Sequence, residues 1–316
     1  GSIGSEIIRQ LIKFNPSEIL IIDNSETPMF DLKAELSSFE EEIIFHFVVD
    51  SILDKDSMSY IFKNFKPEVI FHAAAYKHVS MMEENPKSAI MNNILGTKNL
   101  LEVSLNSSIS KFVFISSDKA VNPSSVMGVT KRICELYISK FFNDMPDIIV
   151  TRFGNVLGSN GSVVKIFKDQ ISLGGPVTVT HPDVNRYFMT IPEASQLVLE
   201  AGAMGEKGEI FVFDMGDPVK ISDLAKKMIK LSGKVLDEDI KIEYIGLRDG
   251  EKLYEELLTE NEKLKTSYNS LILIAEKDFV DDNTYKAIDE LIESAKKGRN
   301  DIILIDKMKE IVKEYK

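Results

Sequence analysis

Three polar residues that could bind and move protons stand together near the middle of the chain: Ser117, Asp118 and Lys119. They follow the apolar run from Lys111 to Ser116, which predicts a strand, and ligands bind at the carboxyl ends of parallel strands. A carboxyl group beside an amine can give a proton to one substrate atom and take one from another. The same residue types are common in exposed turns, so the surrounding sequence must show whether these three residues form a catalytic group.

Met127 and Lys131 extend this group onto the next element. The stretch from Val126 to Phe142 has apolar residues at three- and four-residue spacing, which predicts a helix. Residues four apart share a helix face, so both side chains point to one side. Short-chain dehydrogenases place a Tyr-x-x-x-Lys pair there, after a Ser or Thr at the strand end. Met127 replaces the tyrosine and cannot exchange a proton, which weakens the interpretation as an ordinary dehydrogenase.

The start of the chain resembles the second half of a glycine-rich phosphate-binding turn. Gly1-Ser2-Ile3-Gly4 runs into a predicted helix from Ser5 to Phe14, and such glycines let a helix N-terminus approach a pyrophosphate. Asp23 ends the next predicted strand, 19 positions after Gly4, where an acid would bind the adenosine ribose hydroxyls. No arginine lies between Asp23 and Asp50 to hold a 2'-phosphate. These features predict NAD rather than NADP.

Two later segments complete the predicted cofactor side. Asp50 follows the strand predicted from Ile43 to Val49 and would face the adenine, although a structural acid in a turn explains it equally well. Ala73, Ala74 and Ala75 lie at the end of the strand predicted from Val69 to Ala73. Their side chains are small enough for close packing against a dinucleotide. No first strand and no first glycine precede Gly1, so the sequence looks like a fragment cut inside its cofactor motif.

Strands and helices alternate through the first half, which predicts an α/β fold with a doubly wound parallel sheet, Rossmann-like and without its first strand. The strands are predicted at Glu18 to Asp23, Ile43 to Val49, Val69 to Ala73, Lys111 to Ser116 and Ile148 to Phe153. Residues 1–154 should bind NAD, with 182–205 returning to that domain. Residues 155–181 and 206–275 should form a smaller substrate domain, and 276–316 a charged helical tail.

Composition narrows the partners. The net charge of -12 argues against nucleic acid, and no apolar run approaches the length of a membrane helix, so we expect no membrane contact by this chain. A single cysteine, Cys134, fits a reducing compartment. The four histidines lie far apart and lack the spacing of a zinc site, so we expect no catalytic metal.

At several points the chain resembles the UDP-N-acetylglucosamine 4,6-dehydratases of the polysaccharide-biosynthesis branch of extended short-chain dehydrogenases/reductases. The likeness extends from Gly1 to about Ile274, and many members of that branch carry methionine at the Met127 position. Ser117, Lys165 and Asp249 depart from the usual threonine, proline and proline. The matching segments are His72 to Val79, Ser117 to Pro123, Met127 to Arg132, Arg152 to Ser159, Thr180 to Asp183, Arg186 to Thr190 and Gly246 to Lys252.

The resemblance implies the roles of individual residues. Asp118 would be the acid that protonates the leaving 6-hydroxyl, and Lys119 the base that removes the carbon 5 proton, its pKa tuned by burial. Ser117 would hold the 4-oxygen, and Lys131 the nicotinamide ribose. Contacts to the UDP-sugar are implied for Lys77, Asn155, Ser159, Thr178, Thr180, Arg186, Arg248 and Glu251, of which the two arginines suit a diphosphate.

Two other functions stay open. A UDP-hexosamine 4-epimerase would also oxidise the 4-hydroxyl, but Asp118 and Lys119 speak against it. A non-catalytic nucleotide-binding module would explain Met127 and the missing first strand. The resemblance implies a cytoplasmic location and leaves room for the cytosolic part of a membrane-anchored protein. Homo-oligomerisation and the configuration at carbon 5 are left open.

Overall fold

The computed structural model describes residues 1–39, 42–142, 145, 147–206, 208–258, 264–275, 280–298 and 300–315. Residues 276–279 of the predicted tail lie outside the described residues. The strands are β1 (Glu18–Asp23), β2 (Ile44–Val49), β3 (Val69–His72), β4 (Lys111–Ile115), β5 (Asp147–Arg152), β6 (Asn155–Leu157), β7 (Val177–Val179), β8 (Asn185–Arg186), β9 (Phe188–Thr190), β10 (Ile210–Phe213), β11 (Val219–Lys220), β12 (Ile242–Tyr244), β13 (Leu264–Thr266) and β14 (Ile272–Ala275).

The helices alternate with these strands. They are α1 (Ser2–Leu11), α2 (Glu26–Leu36), α3 (Lys55–Phe65), α4 (Val79–Glu83), α5 (Pro86–Ala89), α6 (Gly96–Leu105), α7 (Val126–Ile138), α8 (Val163–Ser172), α9 (Ile191–Met204), α10 (Ile221–Leu231), α11 (Asp282–Lys297) and α12 (Asp301–Ile311). Between α5 and α6 the residues Ile90–Leu95 form a π-helical turn.

The main sheet has six strands in the order β13-β14-β10-β5-β4-β3. β3, β4, β5 and β10 are parallel, and β14 and β13 add antiparallel strands at one edge. β4, which lies between β3 and β5, is apolar at four successive positions from Phe112 to Ile115, and all four are buried, as a parallel strand covered on both faces requires. The α/β architecture and the doubly wound parallel sheet predicted from sequence are therefore confirmed.

β1 and β2 form a separate parallel pair, in register from Glu18 with Ile44 to Asp23 with Val49. Among the described residues, no strand is hydrogen-bonded between β1 and β3. Instead, residues of β1 and residues of β3 line the same cavity. In a doubly wound sheet one more parallel strand would lie between β1 and β3, and the described residues contain none at that position.

A smaller layer gathers beside the carboxyl ends of β4 and β5. It contains α8, α10 and the paired strands β7 and β12, whose shared core includes Phe167, Val177, Val179, Ile221 and Ile229. Two further short pairs, β6 with β9 and β8 with β11, connect this layer to the main sheet. α9, within the predicted returning segment 182–205, packs on β4, β5 and α1 through Leu197 and Val198.

One part of the predicted domain division needs correction. The sequence placed 206–275 in the substrate domain, but β10 and β14 within it are strands of the main sheet. All four residues of β10 are buried, because it pairs with β5 and extends the parallel core. A short apolar strand carries no local sign of the sheet that it will join.

The tail helices are part of the fold. α11 and α12 are mostly charged on their outer faces, and they pack through Ile288, Leu291, Leu304 and Met308 into the core cluster that contains residues of α6 and α7. The helix α7 is thereby covered on nearly every side, since only Leu136 among its thirteen residues is not buried. This packing fixes the helix that carries Met127 and Lys131.

Candidate active site

The turn after β4 holds the predicted acid and base. The main-chain N–H of Ser116 donates to Thr151 O at 2.7 Å, and that of Asp118 donates to Phe153 O at 3.1 Å, so pairing with the β5 side continues past the strand end. Asp118–Ala120 form a 3₁₀ turn capped by the Ser117 hydroxyl, which accepts from the Lys119 N–H at 3.3 Å. The turn is therefore held by the sheet and is not a loose surface loop.

Asp118 is completely buried. Its Oδ1 accepts hydrogen bonds from Ser117 Oγ at 2.9 Å and from Lys119 Nζ at 3.0 Å, whereas Oδ2 has no partner within the described part of the chain. Gly154 leaves the space for that oxygen, because a Cβ added there would lie 2.9 Å from Oδ2. A buried carboxylate oxygen without a partner is costly unless a proton or a ligand satisfies it.

Lys119 lies between two carboxylates. Its side chain is 18% exposed, and its Nζ is 3.0 Å from Asp118 Oδ1, 3.7 Å from Glu255 Oε1 and 3.4 Å from Asn155 Oδ1. Burial alone would lower the pKa of Lys119, but the carboxylates of Asp118 and Glu255 outweigh it and raise that pKa above its ordinary value. The expectation that burial tunes this lysine downward is therefore wrong for the free protein.

Met127 and Lys131 lie on the buried face of α7. This face meets residues 117–124, which are called the catalytic turn because they include the expected acid and base. Ser125 caps the helix by accepting from the Gly128 N–H at 3.1 Å, and a Cβ on Gly128 would lie 2.2 Å from Lys119 O. Glycine at this position therefore lets the helix touch the turn. Lys131 Nζ donates to Ile115 O at 2.8 Å, and burial lowers the pKa of Lys131 to about 8.

A buried ionic cluster below the turn was not predicted from sequence. Glu135, one helical turn beyond Lys131, accepts from Ser116 Oγ at 2.6 Å and from Arg152 Nε at 2.8 Å through Oε1, and from Arg152 Nη2 at 2.6 Å through Oε2. Burial alone would raise the pKa of Glu135, but Arg152 and then Arg132 lower it below its ordinary value. The available signal was a basic residue, Arg152, inside an apolar strand.

A cavity of about 2590 Å³ runs from the gap between β1 and β3 to the carboxyl ends of β4 and β5. It brings together most of the site residues expected from sequence, and the ones that line it are Gly1, Ser2, Ile3, Gly4, Asp23, Ala73, Ala74, Ala75, Lys77, Ser117, Lys119, Met127, Lys131, Asn155, Ser159, Thr178, Thr180, Arg186, Arg248 and Glu251. Asp118 lies behind Ser117 and Lys119. The cavity therefore joins the predicted cofactor, catalytic and substrate groups.

The cofactor side of this cavity is built by α1 and the ends of β1 and β3. The helix begins at Ser2, and a Cβ added to Gly4 would lie 3.8 Å from Ala73 Cβ, so α1 passes close to the strand that ends in small residues. Asp23 Oδ1 accepts from the Ser25 N–H at 2.9 Å, which orients its carboxylate at the strand end. This arrangement places a helix N-terminus and an acid at one edge of the cavity.

Asp50 is the one predicted cofactor residue that does not line this cavity. Its carboxylate accepts from the Ser51 N–H at 2.6 Å through Oδ1 and from the Ser57 hydroxyl through Oδ2. Asp50 therefore fastens the turn before α3 to that helix. The contacts favour the structural interpretation that the sequence had left open.

The expected substrate contacts lie on the opposite wall. Thr178 is held by Gln170, which donates to Thr178 Oγ1 at 2.7 Å and accepts from its N–H at 3.1 Å. Lys77 Nζ donates to Ser159 Oγ at 3.4 Å, and burial lowers the pKa of Lys77. Asn155 Nδ2 donates to Tyr187 O at 3.3 Å, which aims its oxygen at Lys119. These polar side chains are held by contacts within the protein, and Asn155 reaches Lys119 directly.

Arg186 is bound to two glutamates. Its Nη2 donates to Glu251 Oε1 at 3.1 Å, its Nε lies 3.7 Å from Glu255 Oε1, and Thr180 Oγ1 also donates to Glu251 Oε1, at 2.9 Å. Arg248 is exposed at the rim, where its N–H donates to Glu251 Oε2 at 3.2 Å. Glu255 was not predicted, because nothing in its local sequence separates it from a surface glutamate.

Two kinds of site are not seen in the described residues. They contain no group of three or more His, Cys, Asp or Glu side chains that could hold a metal ion. None of the helices that the structure describes combines the length and apolar character needed to cross a membrane.

The parallel sheet, the Ser-Asp-Lys turn after β4 and the lysine on α7 place the chain in the structural class of extended short-chain dehydrogenases/reductases. A family profile described as polysaccharide biosynthesis protein matches residues 1–277. The chain belongs to this family of polysaccharide biosynthesis proteins.

Two curated relatives illustrate the range of the family. The chain is 56% identical over 265 residues to the capsular polysaccharide biosynthesis protein CapD of Staphylococcus aureus, and the match covers 83% of this chain and 44% of CapD. The chain thus spans less than half of that relative's length. It is also 32% identical to a UDP-glucose 4-epimerase of Rickettsia conorii, over 84% of this chain and 77% of that protein.

Solved structures agree on the fold. The X-ray structure of Pen from Bacillus thuringiensis matches with a TM-score of 0.81 at 32% identity, covering 89% of this chain and 86% of that chain. DesIV, a dTDP-glucose 4,6-dehydratase from Streptomyces venezuelae with NAD bound, matches with a TM-score of 0.71 at 20% identity over 81% of this chain and 85% of that chain. At that identity the second match carries the fold alone.

Proposed function

We propose that this chain contains the catalytic region of an NAD-dependent UDP-N-acetylglucosamine 4,6-dehydratase that makes a UDP-4-keto-6-deoxy sugar for surface polysaccharide or glycan synthesis. The observation that carries the proposal is the hydrogen-bonded pair of Asp118 Oδ1 and Lys119 Nζ, 3.0 Å apart beside a large cavity. Besides the transfer of hydride and of the 4-hydroxyl proton, dehydration needs a base for the carbon 5 proton and an acid for the leaving 6-hydroxyl.

The residues on the cofactor side fit a dinucleotide. The N-terminus of α1 would offer main-chain N–H groups to a pyrophosphate, and that end of the helix is open, because no described atom lies within 4 Å of a Cβ added to Gly1. Asp23 would bind the adenosine ribose, and Lys131 the nicotinamide ribose. When bound, NAD would supply the reversible removal of hydride from carbon 4. No metal is required by these groups.

Ser117, Asp118 and Lys119 would divide the remaining chemistry. Ser117 would hold the 4-oxygen, Lys119 would take the carbon 5 proton, and Asp118 would protonate the departing 6-hydroxyl. The two last roles need a neutral amine and a carboxylic acid. One proton passed from Lys119 Nζ to Asp118 Oδ1 along their hydrogen bond produces both at once, with no change in net charge. The 4-hydroxyl would give its own proton to water in the cavity as carbon 4 is oxidised, hydride would return to carbon 6, and Lys119 would return its proton to carbon 5. The proton released to water would then restore the ammonium form of Lys119.

The substrate side fits a nucleoside diphosphate sugar. Arg186 and Arg248 line the cavity with planar donors that suit a diphosphate. Arg186 already donates to Glu251, so a bound diphosphate would have to share or replace that contact. Glu251 could then accept from the uridine ribose hydroxyls. Thr178 and Thr180, which also line the cavity, would contact the uracil.

The test is incubation of the chain with NAD and UDP-N-acetylglucosamine, followed by mass analysis of the nucleotide sugar. A 4,6-dehydratase yields a product that has lost one water. A sugar of unchanged mass but altered configuration at carbon 4 would contradict dehydration and indicate the epimerase. Binding of both ligands by calorimetry, with no change in the sugar, would indicate a non-catalytic module.

The epimerase is the second candidate, because the Rickettsia conorii relative bears that name. Asp118 and Lys119 argue against it. An epimerase returns the hydride to carbon 4 and has no use for a base at carbon 5. Deuterium from heavy water at carbon 5 of the product therefore separates the two candidates, since only dehydration opens that bond to the solvent.

A further inference from the structure

Glu255 belongs to no motif that the sequence brought forward, yet it lies at the centre of the charged groups. Its side chain is only 4% exposed, and its Oε1 is 3.7 Å from Lys119 Nζ and 3.7 Å from Arg186 Nε. A single buried carboxylate oxygen thus faces the expected base on one side and the expected diphosphate ligand on the other.

The segment that carries Glu255 is fastened to the catalytic turn. Lys252 Nζ donates to Val121 O at 3.1 Å, and Asn122 Nδ2 donates to Glu256 Oε2 at 2.7 Å. Nearer the start of the segment, Ser124 Oγ donates to Gly250 O at 2.9 Å. These bonds flank Glu255 on both sides in sequence, so its place beside Lys119 is set by the fold and not by one flexible side chain.

The charges around Lys119 come from three elements. Asp118 is on the catalytic turn, Glu255 on the segment 250–256, and Arg186 on β8. The two carboxylates stabilise the ammonium form of Lys119, whereas the guanidinium of Arg186 disfavours it. Any group that draws Arg186 away from Glu255 therefore alters the field at Lys119.

We propose that Glu255 is a positioning residue that joins Arg186, on the substrate side, to Lys119, and thereby controls the orientation and the charge of the Lys119 amine. Its consequence for catalysis rests on the proposed dehydratase function, whereas its effect on Lys119 does not. When an anionic ligand takes Arg186, the Glu255 carboxylate is left to Lys119. Binding of an anionic ligand on the substrate side then changes the electrostatic environment of Lys119.

The direct test measures how the reactivity of the Lys119 amine depends on pH. The full chain is acetylated with trace acetic anhydride at a series of pH values, and Lys119 modification is quantified by peptide mass spectrometry. In Glu255→Gln the loss of one close carboxylate should lower the apparent pKa of Lys119 by about 1 unit, which gives roughly tenfold more neutral amine at neutral pH. Glu256→Gln, at the neighbouring but exposed position, removes a charge but keeps an amide oxygen that can accept from Asn122, so it should leave the Lys119 profile unchanged.

A Lys119 profile in Glu255→Gln that matches the unaltered chain would overturn the proposal. Labelling of Lys131 and Lys252 in the same samples shows whether the fold is intact. If Glu255→Gln does not fold, Glu255→Asp replaces it: the shortened side chain withdraws the charge, and the Lys119 profile should move in the same direction by a smaller amount. No movement in that variant would also overturn the proposal.

The activity arm separates this inference from the proposed function. With NAD and UDP-N-acetylglucosamine, Glu255→Gln should shift the acidic limb of the kcat profile to lower pH, and Glu255→Asp should partly restore it. If the unaltered chain makes no dehydrated product, the proposed function fails. A shifted labelling profile in Glu255→Gln would still support the link between Glu255 and Lys119.

Discussion

The strands on the two sides of the cavity are buried to different degrees. On the catalytic side, β4 has four of five residues buried and β5 has five of six. On the cofactor side, β1 has two of six buried and β2 has none. β4 lies between two hydrogen-bonded neighbours, whereas β1 pairs with β2 along one edge and faces the cavity along the other.

The described residues place no strand between β1 and β3, and this open edge accounts for the low burial of β1. The acid, the base and Lys131 are held by a packed sheet, a buried helix and an ionic cluster, so their geometry should be insensitive to changes on the cofactor side. The residues expected to bind the pyrophosphate and the adenosine ribose lie on α1 and β1, and the sheet partner of β1 is the single strand β2. We therefore expect catalytic substitutions to act on the reaction, and cofactor-side changes to act on binding.

The largest effect is expected from Lys119→Ala. It removes the expected base but leaves Ser117, Lys131 and the cofactor side, so hydride transfer remains while the later proton abstraction is lost. Loss of a general base typically costs about 100- to 10,000-fold in rate. The variant should accumulate reduced cofactor, absorbing in the near ultraviolet, and form no dehydrated sugar.

Asp118→Asn provides the companion measurement. If Asp118 is the acid, this variant should also lose the dehydrated product, while carbon 5 still exchanges with heavy water because Lys119 remains. Dehydration at nearly the original rate in Lys119→Ala would show that another base operates. Full activity in Asp118→Asn would show that Asp118 is not the acid, and it would leave the assignment of Lys119 as the base unaffected.

A large effect on stability is expected from Glu135→Gln. Arg152 is 1% exposed and would lose the carboxylate that faces it, and breaking a buried ion pair costs about 3 to 5 kcal/mol. Urea unfolding would measure the loss in free energy of unfolding. The same loss should appear with pH: since the pKa of Glu135 is lowered in the folded state, its contribution is present above the ordinary value of 4.5 and disappears as pH falls through the folded value.

Glu314→Gln is the matched control for that cluster. Glu314 lies 3.8 Å from Arg132, but its side chain is 40% exposed. Exposed ion pairs are worth roughly 0 to 1 kcal/mol, so this variant should unfold close to the unaltered chain. Equal losses in both variants would mean that burial of the cluster is not what makes Glu135 important.

The sequence predicted well those elements whose pattern is local. The run from Lys111 to Ser116 and the helix from Val126 carry their own periodicity, and the structure has β4 and α7 there. The same holds for Asp118, Lys119 and Lys131, since a strand end and one helical turn bring them near the cavity edge. Local order in the chain was enough to place these groups together.

Residues that meet across long separations were beyond local patterns. Glu255 reaches Lys119 from 136 positions away, and that meeting depends on how the segment 250–256 lies on the catalytic turn. The pKa of Lys119 was misjudged for the same reason, because the second carboxylate was not foreseen. The strand β10 was likewise assigned to the wrong layer, since only the pairing with β5 decides its sheet.

A smaller effect is expected when the open edge of β1 is paired. A chain that carries an apolar strand of about six residues and the first turn glycine ahead of Gly1 should fill the space between β1 and β3 and complete the phosphate turn. We expect NAD affinity to rise roughly tenfold or more, about 1.4 kcal/mol per factor of ten, by calorimetry. Equal affinities for the two chains would show that Gly1 to Gly4 is not that turn.

The smallest effect concerns the choice between NAD and NADP, which we assign to Asp23. Its carboxylate lies at the cavity edge, where the 2'-phosphate of NADP would add a second negative charge beside it. The extended chain should therefore bind NAD more tightly than NADP. Asp23→Asn keeps an acceptor for the Ser25 N–H but removes the charge, so the preference should shrink by roughly three- to tenfold, at most about 1.4 kcal/mol.

Asp50→Asn is the control, because Asp50 holds the turn before α3 and does not line the cavity. It should leave the ratio of the two dissociation constants unchanged. If Asp50→Asn alters that ratio and Asp23→Asn does not, the adenosine end lies nearer to β2, and the assignment of Asp23 is wrong.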